Sequence, residues 1–534
     1  MTLSVTAAYT AELARHSRTP IYKVAFASVA QTYSTHKISG GTSLPYMQLP
    51  TCTPAQIKPE EGTSTSGSIT AFFLDRNNAI TALIAAGLFG RVATWYGGFE
   101  DITEANYATF FTGIVTGCKQ SEDYTGYWIT CTDLQTLINK QVCASSSSPL
   151  TSGLSAQTFD QYLHYVRVTA STVIPLGDYQ WTNLENAATF TTTLNTLLGA
   201  PNWSFYLTTV TLYGTTVYLD TTDFLSAGYV KIDDEIIAYT TKNAGNVTGL
   251  TRAALGSTIA SHGVGAKATE LIRHTGNAFD ILSALLTNTD KTGLSIPAAQ
   301  VDTAKLATLK TAIGASNTMD FWFTEAVNAR DFIERELMKT LACYLVMTGD
   351  GRISVQRFAI PVTAVATITH SNIRRRGFQV TDMPILKWDA NFGTIINSVV
   401  FMYDYDTKTD EYKTTSPKYS DATSITRYGE YPLVIKSKGF RTSMVGTVSV
   451  QVDVADKITT RYADGGAPLV STSLFLSKEL IEPGDIVAVT SDLLPNRTTG
   501  VKGITGALFE VINRANVFDV GAVDVELLQT SWSL

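Results

Sequence analysis

Charged residues are scarce in this 534-residue sequence, at 16% of the chain, whereas an average soluble domain has roughly 25%. The formal net charge of −7 argues against a protein that wraps nucleic acid, because such a protein needs a basic face to displace counterions from phosphates. No run of about 18 or more apolar residues is present to span a membrane. The first 20 residues also lack the apolar core of a signal peptide. We therefore expect synthesis in a cytoplasm and no stable membrane insertion.

Cysteine and histidine are also sparse and scattered. The five cysteines form no CxxC pair and have no histidine at ligand spacing; they are Cys52, Cys118, Cys131, Cys143 and Cys343. The six histidines form no HExxH or HxH arrangement. The sequence therefore predicts buried free thiols, no zinc or iron site and no cofactor.

Apolar residues make up 44% of the chain, and Thr, Ser, Gly, Tyr and Phe are plentiful. This composition favours strands and turns over helices, so we predict a mainly β fold with some α (α+β). The length predicts several domains, because one core seldom organises more than about 250 to 300 residues. Low surface charge suits a protein whose surface is largely covered by permanent partners.

Local patterns divide the chain into five predicted parts. We expect a small β-barrel or sandwich, a β-rich and possibly inserted domain with a hairpin module, a helix-containing linker, a β-rich domain and a C-terminal β-barrel, at 1–148, 149–270, 271–345, 346–455 and 456–534. The serine run 145–148 is interpreted as a connection that buries nothing.

Alternating apolar and polar residues predict the strands, and apolar residues at helical spacing predict the helices. Predicted strands include 22–26, 67–75, 92–96, 110–115, 127–131, 399–403, 448–454, 486–489 and 522–528. Predicted helices follow Asp75, begin near Ala278 and include Phe332 to Leu341. Turns at Asp233-Asp234 and Asp350-Gly351 predict two hairpins.

The acids Asp233, Asp234 and Glu235 are the obvious candidates for chemistry. Paired carboxylates serve glycosidases, but neighbouring strand residues point to opposite faces and cannot flank one bond. We therefore expect a turn or surface role for these acids. Calcium is a weaker alternative, because the EF-hand order and its Gly are absent.

Arg252 and His262 are candidates for an anion site, but we expect Arg252 to fix a loop by hydrogen bonds to backbone carbonyls, with His262 packed beside it. The basic run Arg374-Arg375-Arg376 suggests a patch facing DNA or an anionic membrane; a solvated or interface loop is the stronger interpretation. No GxSxG, P-loop or GxGxxG motif is present. We predict no catalytic, cofactor-binding or metal-binding residue, and hence no enzyme.

The stretch 229–266 resembles a pattern widespread in tail proteins of long-tailed phages. It reads IDDEIIAYT, then TGLTRAALGST, then His262 with Gly265 and Ala266. The usual pattern has Gly where this chain has Ala253 or Ala254. The match covers under a tenth of the chain and implies a tail-protein module without a catalytic role.

A broader resemblance links other segments to siphophage-like tail-tip (baseplate) hub proteins. FFTGIVTGC with LQTLINK resembles the opening hub barrel, CYLVMTGDGRISVQRF resembles the hairpin that links hub domains, and LSKELIEPGDIVAVTSD resembles the last barrel. Related iron-sulphur hubs carry a C-terminal cysteine cluster, but this chain has no cysteine after Cys343, so that cofactor is not inferred.

The resemblance implies a virion structural protein at the distal end of the tail, made in the bacterial host cytoplasm. Hubs form rings, commonly homotrimers, that contact the distal tail protein, the tape measure protein and a central fibre or spike, and DNA leaves through the ring. Two alternatives stay open at this point. One is a distal-tail ring protein or host-binding tail component; the other is a tail-associated glycan hydrolase.

Overall fold

A computed structural model describes most of the chain. Side chains and backbone are described for 5–15, 18–152, 154, 216–348, 350–358, 363–376, 383–390, 394–406, 409–496 and 499–530, and the backbone alone for 161–169, 172–181 and 204–205. The chain forms two compact units: unit 1 is Met1–Val142, His274–Phe321 and Val327–Leu534, and unit 2 is Cys143–Arg273 and Trp322–Ala326. The predicted class, mainly β with some α, is confirmed. The bounds of the five predicted parts stay a prediction.

Unit 1 begins with one antiparallel sheet. Its elements are α1 (Ala7–Leu13), β1 (Pro20–Phe26), β2 (Thr32–Ser34), β3 (Thr51–Thr53), β4 (Ile57–Lys58), β5 (Thr63–Ser64), β6 (Ser68–Leu74), α2 (Ala79–Ala85), β7 (Val92–Phe99), β8 (Ala108–Gln120), β9 (Gly126–Asp133) and β10 (Gln141–Val142). Seven strands pair in the order β2-β1-β7-β8-β9-β6-β3. All five strands predicted in this part are confirmed.

The core of this sheet lies on one face, because alternate residues of each strand point the same way. Val24, Phe73, Trp95 and Ile129 are fully buried there, and Ile80 of α2 packs against them. The predicted helix after Asp75 is thus confirmed and covers the sheet. It ends at Ala85, earlier than the predicted end at Gly90.

Unit 2 is built from short antiparallel strands. They are β11 (Ser147–Pro149), β12 (Gln161–Thr169), β13 (Thr172–Trp181), β14 (Ser204–Phe205), β15 (Thr216–Tyr218), β16 (Gly228–Ile232), β17 (Glu235–Tyr239), β18 (Thr241–Asn243), β19 (Asn246–Thr248) and β20 (Lys267–Gly276). The sheet orders are β11-β20-β16-β17, β15-β19-β18 and β13-β12-β14. The predicted hairpin at Asp233-Asp234 is confirmed as β16 and β17.

The prediction that 145–148 is a connection burying nothing was wrong. Residues Ser147 to Pro149 pair with β20 as strand β11. Ser148 is buried, and its hydroxyl accepts a hydrogen bond from the backbone N–H of Asp220 at 3.1 Å. A serine can take a buried strand position when a partner satisfies its hydroxyl, so low hydrophobicity did not reveal this strand.

The rest of unit 1 carries most of the helices. Its elements are α3 (Ala278–Thr287), α4 (Thr303–Ala312), β21 (Met319–Phe323), β22 (Val327–Asn328), α5 (Ala329–Phe332), β23 (Cys343–Met347), β24 (Ile353–Arg357), β25 (Ala366–Ile368), β26 (Leu386–Asp389), β27 (Ser398–Asp406), β28 (Glu411–Thr415), β29 (Tyr419–Ser420), α6 (Ala422–Tyr428), β30 (Pro432–Lys436), α7 (Thr447–Tyr462), β31 (Leu469–Phe475), β32 (Ile486–Asn496), β33 (Val501–Val517) and β34 (Ala522–Gln529). A six-stranded sheet has the order β25-β32-β33-β34-β31-β26. The predicted hairpin around Asp350-Gly351 is confirmed as β23 and β24.

The strand predicted at 448–454 was wrong, because these residues lie in helix α7. Valines at every second position imitate the period of a strand. The buried residues instead include Val450, Val454 and Ile458, which recur every four residues, as on one face of a helix. Tertiary packing on that face overrides the low helix propensity of valine.

Candidate functional site

The hairpin of β16 and β17 places its acids in different surroundings. Asp233 has φ 50°, a left-handed conformation that aspartate tolerates, and its side chain is 66% exposed. Glu235 is the first residue of β17 and is fully buried. The predicted turn role is therefore confirmed for Asp233, and the predicted turn or surface role was wrong for Glu235. Side chains at every second position of a strand point to the same face. Glu235 therefore lies on the buried face of β17 with Ile237 and Tyr239.

The buried carboxylate of Glu235 is held mainly by Arg252. The guanidinium donates from Nε to Oε1 at 2.5 Å and from Nη2 to Oε2 at 2.6 Å. The backbone N–H groups of Ala253 and Ala260 also donate to this carboxylate, at 3.3 and 3.0 Å. Arg252 donates in addition to the carbonyl of Ala260 at 2.6 Å, as its predicted loop-fixing role requires. Glu235 thus ties both ends of the loop 252–260 to the sheet.

His262 lies between the two acids. Its Nδ1 is 2.7 Å from the Oδ2 of Asp233, and its Nε2 is 2.9 Å from the Oε2 of Glu235. The backbone of His262 exchanges two hydrogen bonds with Leu154, at 2.6 and 2.8 Å. The imidazole is completely buried. His262 therefore joins the loop to the hairpin through its side chain and to Leu154 through its backbone.

Electrostatics keep Glu235 ionised. Burial on its own would raise the pKa of this carboxyl, but the hydrogen bonds from Arg252, Ala260 and His262 and the charge of Arg252 lower it to about 2. A carboxyl that stays ionised at neutral pH cannot act as a general acid. The cluster therefore suits a structural clamp better than proton transfer.

The clamped segment 252–264 exposes apolar residues. Ala253 and Leu255 have φ 53° and 60°, a conformation that L-residues other than Asn and Asp seldom adopt. Leu255 is 44% exposed and Val264 is 71% exposed. The ionisable side chains of the loop, Arg252 and His262, both turn toward Glu235. The outer surface from 253 to 264 is consequently uncharged.

The other predicted candidates lie apart from this cluster in the sequence. Arg374 donates from its backbone N–H to the carbonyl of Ser473 at 2.8 Å beside the six-stranded sheet. No disulfide joins the five cysteines, all of which lie in described ranges. The predicted burial is confirmed for Cys131, Cys143 and Cys343, whereas Cys52 and Cys118 are only partly buried. In the described ranges, no group of three or more His, Cys, Asp and Glu side chains is placed to hold a metal ion. No helix in the described part of the chain has the length and apolar character needed to cross a membrane.

Comparison with known proteins returns tail proteins among solved structures. The chain is similar to a tail protein from Neisseria meningitidis MC58 (10% identity, 96% of each chain covered, TM-score 0.33). It is also similar to a 43 kDa tail protein of prophage MuSo2 from Shewanella oneidensis (10% identity, 95% of this chain and 98% of that chain, TM-score 0.35). A third similar chain belongs to the virion of a native gene transfer agent particle (11% identity, 59% and 77% covered, TM-score 0.31).

The first two of these structures are of tail proteins, the broad class that the sequence resemblance predicts. No protein-family model and no curated protein sequence matches the chain.

Proposed function

We propose that this chain is a non-catalytic structural subunit of the tail tip of a long-tailed bacteriophage. In this proposal it is a baseplate-hub protein that forms a ring, joins the tail tube and the tape measure protein to a central fibre or spike, and lets DNA exit. The observation that carries the proposal is the clamped loop of unit 2. Its ionisable residues, Arg252 and His262, are turned inward onto Glu235, and its exposed surface is apolar.

Such a loop has the properties of a binding element. A loop fixed in one conformation before contact loses little conformational freedom on binding, which favours affinity. The centres of protein interfaces are depleted of charged residues, as is the outer surface of this loop. Glu235 accepts a hydrogen bond from the backbone N–H of the strained residue Ala253, and strained segments cluster at functional sites. Together these features favour attachment to another tail protein.

A glycan hydrolase fits this cluster poorly. That reaction needs one protonated and one ionised carboxyl on either side of a sugar bond. Asp233 and Glu235 have His262 between them, and the pKa of Glu235 is lowered to about 2. Glu235 is also sealed from solvent, so neither its protonation state nor its access suits the role of general acid.

The proposed ring does not need to bind DNA tightly. A net charge of −7 suits a passage that does not retain a polyanion. The proposed location is the distal end of the tail in the virion, with the distal tail protein as a neighbour. A distal-tail ring protein is the second candidate, since it shares these properties and differs in copy number.

Particle incorporation tests the role of the loop. Leu255→Asp combined with Val264→Asp places two charges on the exposed residues of the segment 252–264, and Thr241→Asp is a control at another exposed position of unit 2. Each tagged chain is produced in cells that assemble the tailed particle, and its amount in purified particles is measured. We expect normal incorporation of the wild type and control and loss of the double variant at an unchanged unfolding temperature. Equal incorporation of all three, or no wild-type chain in particles, would contradict the proposal.

A further inference from the structure

The sheet β11-β20-β16-β17 of unit 2 has two unlike faces. One face packs into the core of the unit through residues that include Val230, Ile237 and Ala268. Because side chains alternate along a strand, the residues between them point the other way. On β16, β17 and β20 these outward residues are Tyr229, Lys231, Ile236, Ala238, Lys267, Thr269, Leu271 and Arg273. Leu271 is buried, and the others are partly or fully exposed.

The outward face carries positive charge and no negative charge. Its charged residues are Lys231, Lys267 and Arg273, and no outward residue of these three strands, all of which are described, is a carboxylate. Asp233 and Asp234 lie in the turn beyond the end of β16, and Asp233 is held by His262. In a chain with a net charge of −7, a face of purely positive sign is complementary to an anionic ligand.

The cations lie at the two ends of this face. Lys231 pairs with Thr269 and therefore lies close to Lys267, two positions away on β20. Arg273 lies near the other end of β20, about 20 Å from Lys267 at roughly 3.4 Å per residue. The positive charge is thus spread along a line and is not gathered in one pocket, which suits an extended ligand.

Two aromatic rings accompany Arg273. Its guanidinium carbon lies 4.4 Å from the centroid of the Trp322 ring, and its Nη1 donates to the hydroxyl of Tyr229 at 3.4 Å. The two rings meet edge to face, with centroids 5.6 Å apart. Trp322 belongs to β21, which pairs with β20, and both aromatic residues are partly exposed. This end of the face therefore offers flat apolar surface beside a cation.

We infer that this basic face binds an acidic polysaccharide; it consists of Tyr229, Lys231, Lys267, Thr269, Arg273 and Trp322. The cations pair with the acidic groups of the chain through charge-assisted hydrogen bonds. The hydroxyl of Thr269 is placed between the cations for hydrogen bonds to sugar hydroxyls, and the aromatic rings pack against the apolar faces of the sugars. The inference adds a ligand to the proposed tail-tip role and does not depend on whether the chain forms a ring.

Duplex DNA fits the basic face less well. It carries one negative charge per roughly 1.7 Å of its axis, or about 12 charges over about 20 Å, and the cations of the face neutralise few of them. A polysaccharide whose acidic groups are separated by uncharged sugars needs few cations. Such a ligand also uses the hydroxyl and the rings that lie between the cations.

Fluorescence anisotropy with a labelled heparin oligosaccharide and the purified full chain tests this ligand class. The variant is Lys231→Gln with Lys267→Gln. The matched control is Lys37→Gln with Lys119→Gln, which removes two exposed lysines of unit 1. We expect the wild type and the control to bind heparin equally and the variant at least roughly tenfold more weakly. Equal unfolding temperatures show that both double variants are folded.

Arg273→Lys separates the role of the planar guanidinium from that of its charge. Lysine keeps the positive charge but lacks the flat group that lies over the Trp322 ring. We expect the Kd for heparin to rise, while the slope of log Kd against log salt concentration stays as in the wild type, because the number of ion contacts is unchanged. The variant without Lys231 and Lys267 should show a smaller slope.

The outcomes that overturn the inference are distinct from those that concern copy number in the particle. Absence of heparin binding by the wild type would overturn it, as would equal affinities of the wild type and the variant without Lys231 and Lys267. An oligodeoxynucleotide that binds as tightly as heparin and is weakened by the same substitutions would assign the face to nucleic acid instead. Equal binding of neutral dextran of the same length would show that charge does not select the ligand.

Discussion

Arg252 and Glu235 form a two-point ion pair inside unit 2, with N–O distances of 2.5 and 2.6 Å. Only 7% of the arginine side chain and none of the glutamate side chain is exposed. Such a pair is costly to break, because removal of one partner leaves a buried charge uncompensated. Substitution of either residue of this pair is therefore expected to destabilise unit 2.

Glu235→Gln should therefore destabilise the chain strongly. The substitution keeps the size of the side chain but leaves the buried guanidinium of Arg252 without its counter-charge, at a cost of roughly 3 to 5 kcal/mol. Urea unfolding monitored by circular dichroism measures the change. The control is Glu61→Gln, which breaks the exposed pair with Lys58, at 58% and 52% exposure. We expect Glu61→Gln to lower the free energy of unfolding by about 0 to 1 kcal/mol. Equal effects of both substitutions would contradict a structural clamp.

Ala253→Gly should stabilise the chain. Ala253 has φ 53°, which costs an L-residue roughly 1 to 2 kcal/mol, while the greater freedom of glycine in the unfolded chain offsets part of the gain. The expected net increase in the free energy of unfolding is about 1 kcal/mol. Ala254→Gly is the control, since Ala254 has no positive φ, and it should leave stability equal or lower. A loss of stability in Ala253→Gly would show that the loop is not strained there.

Glu482 should make stability depend on pH. Burial raises the pKa of this carboxyl from 4.5 to about 8, and the nearby Asp485 contributes in the same direction. The folded state therefore holds its proton at pH values where the unfolded state has lost it. The contribution of Glu482 to the free energy of unfolding is therefore fully present below pH 4.5 and is lost as the pH rises through about 8.

The unfolding temperature at pH 5 and pH 8 measures this dependence. The wild type should lose more stability between these values than Glu482→Gln, which has no proton to release. Burial also raises the pKa of Asp133, to about 6. Asp133 makes the stability of both proteins depend on pH in the same way, so its effect cancels in the comparison. Identical pH profiles would show that Glu482 ionises normally.

Gly439→Ala should destabilise unit 1 through a steric clash. A Cβ atom at this position would lie 2.1 Å from the Phe321 ring, which is buried and packs edge-on against Phe332. Overpacking of this kind costs about 1 to 3 kcal/mol. At Gly263 a Cβ would meet nothing within 4 Å, so Gly263→Ala is the matched control and should change stability little. Thermal unfolding of the two variants compares them directly.

The sequence predicts those parts of the fold that depend on neighbouring residues. Hairpins at Asp233-Asp234 and Asp350-Gly351 follow from turn chemistry and strand alternation, and both are present. Helix α4 was not predicted, because its buried residues are only Leu306 and Leu309, too few to give a clear helical period. Helix α7 was misassigned because contacts distant in sequence decide which of its valines are buried.

The candidate site was only partly predictable for a related reason. Arg252 and His262 could be singled out from the sequence, but their common partner Glu235 was assigned to the surface. Strand alternation with Ile237 and Tyr239 was the available signal. The polarity of glutamate argued against burial, because a glutamate is seldom buried unless a charged partner is close. The partner of Glu235 is Arg252, which lies 17 residues away in the sequence.

Imaging of the intact particle without imposed symmetry tests the central claim most directly. We expect three copies of this chain in a closed ring at the distal end of the tail. Six copies would contradict the hub and favour a distal-tail protein, and peripheral copies or absence from the particle would contradict a ring-forming tail subunit altogether.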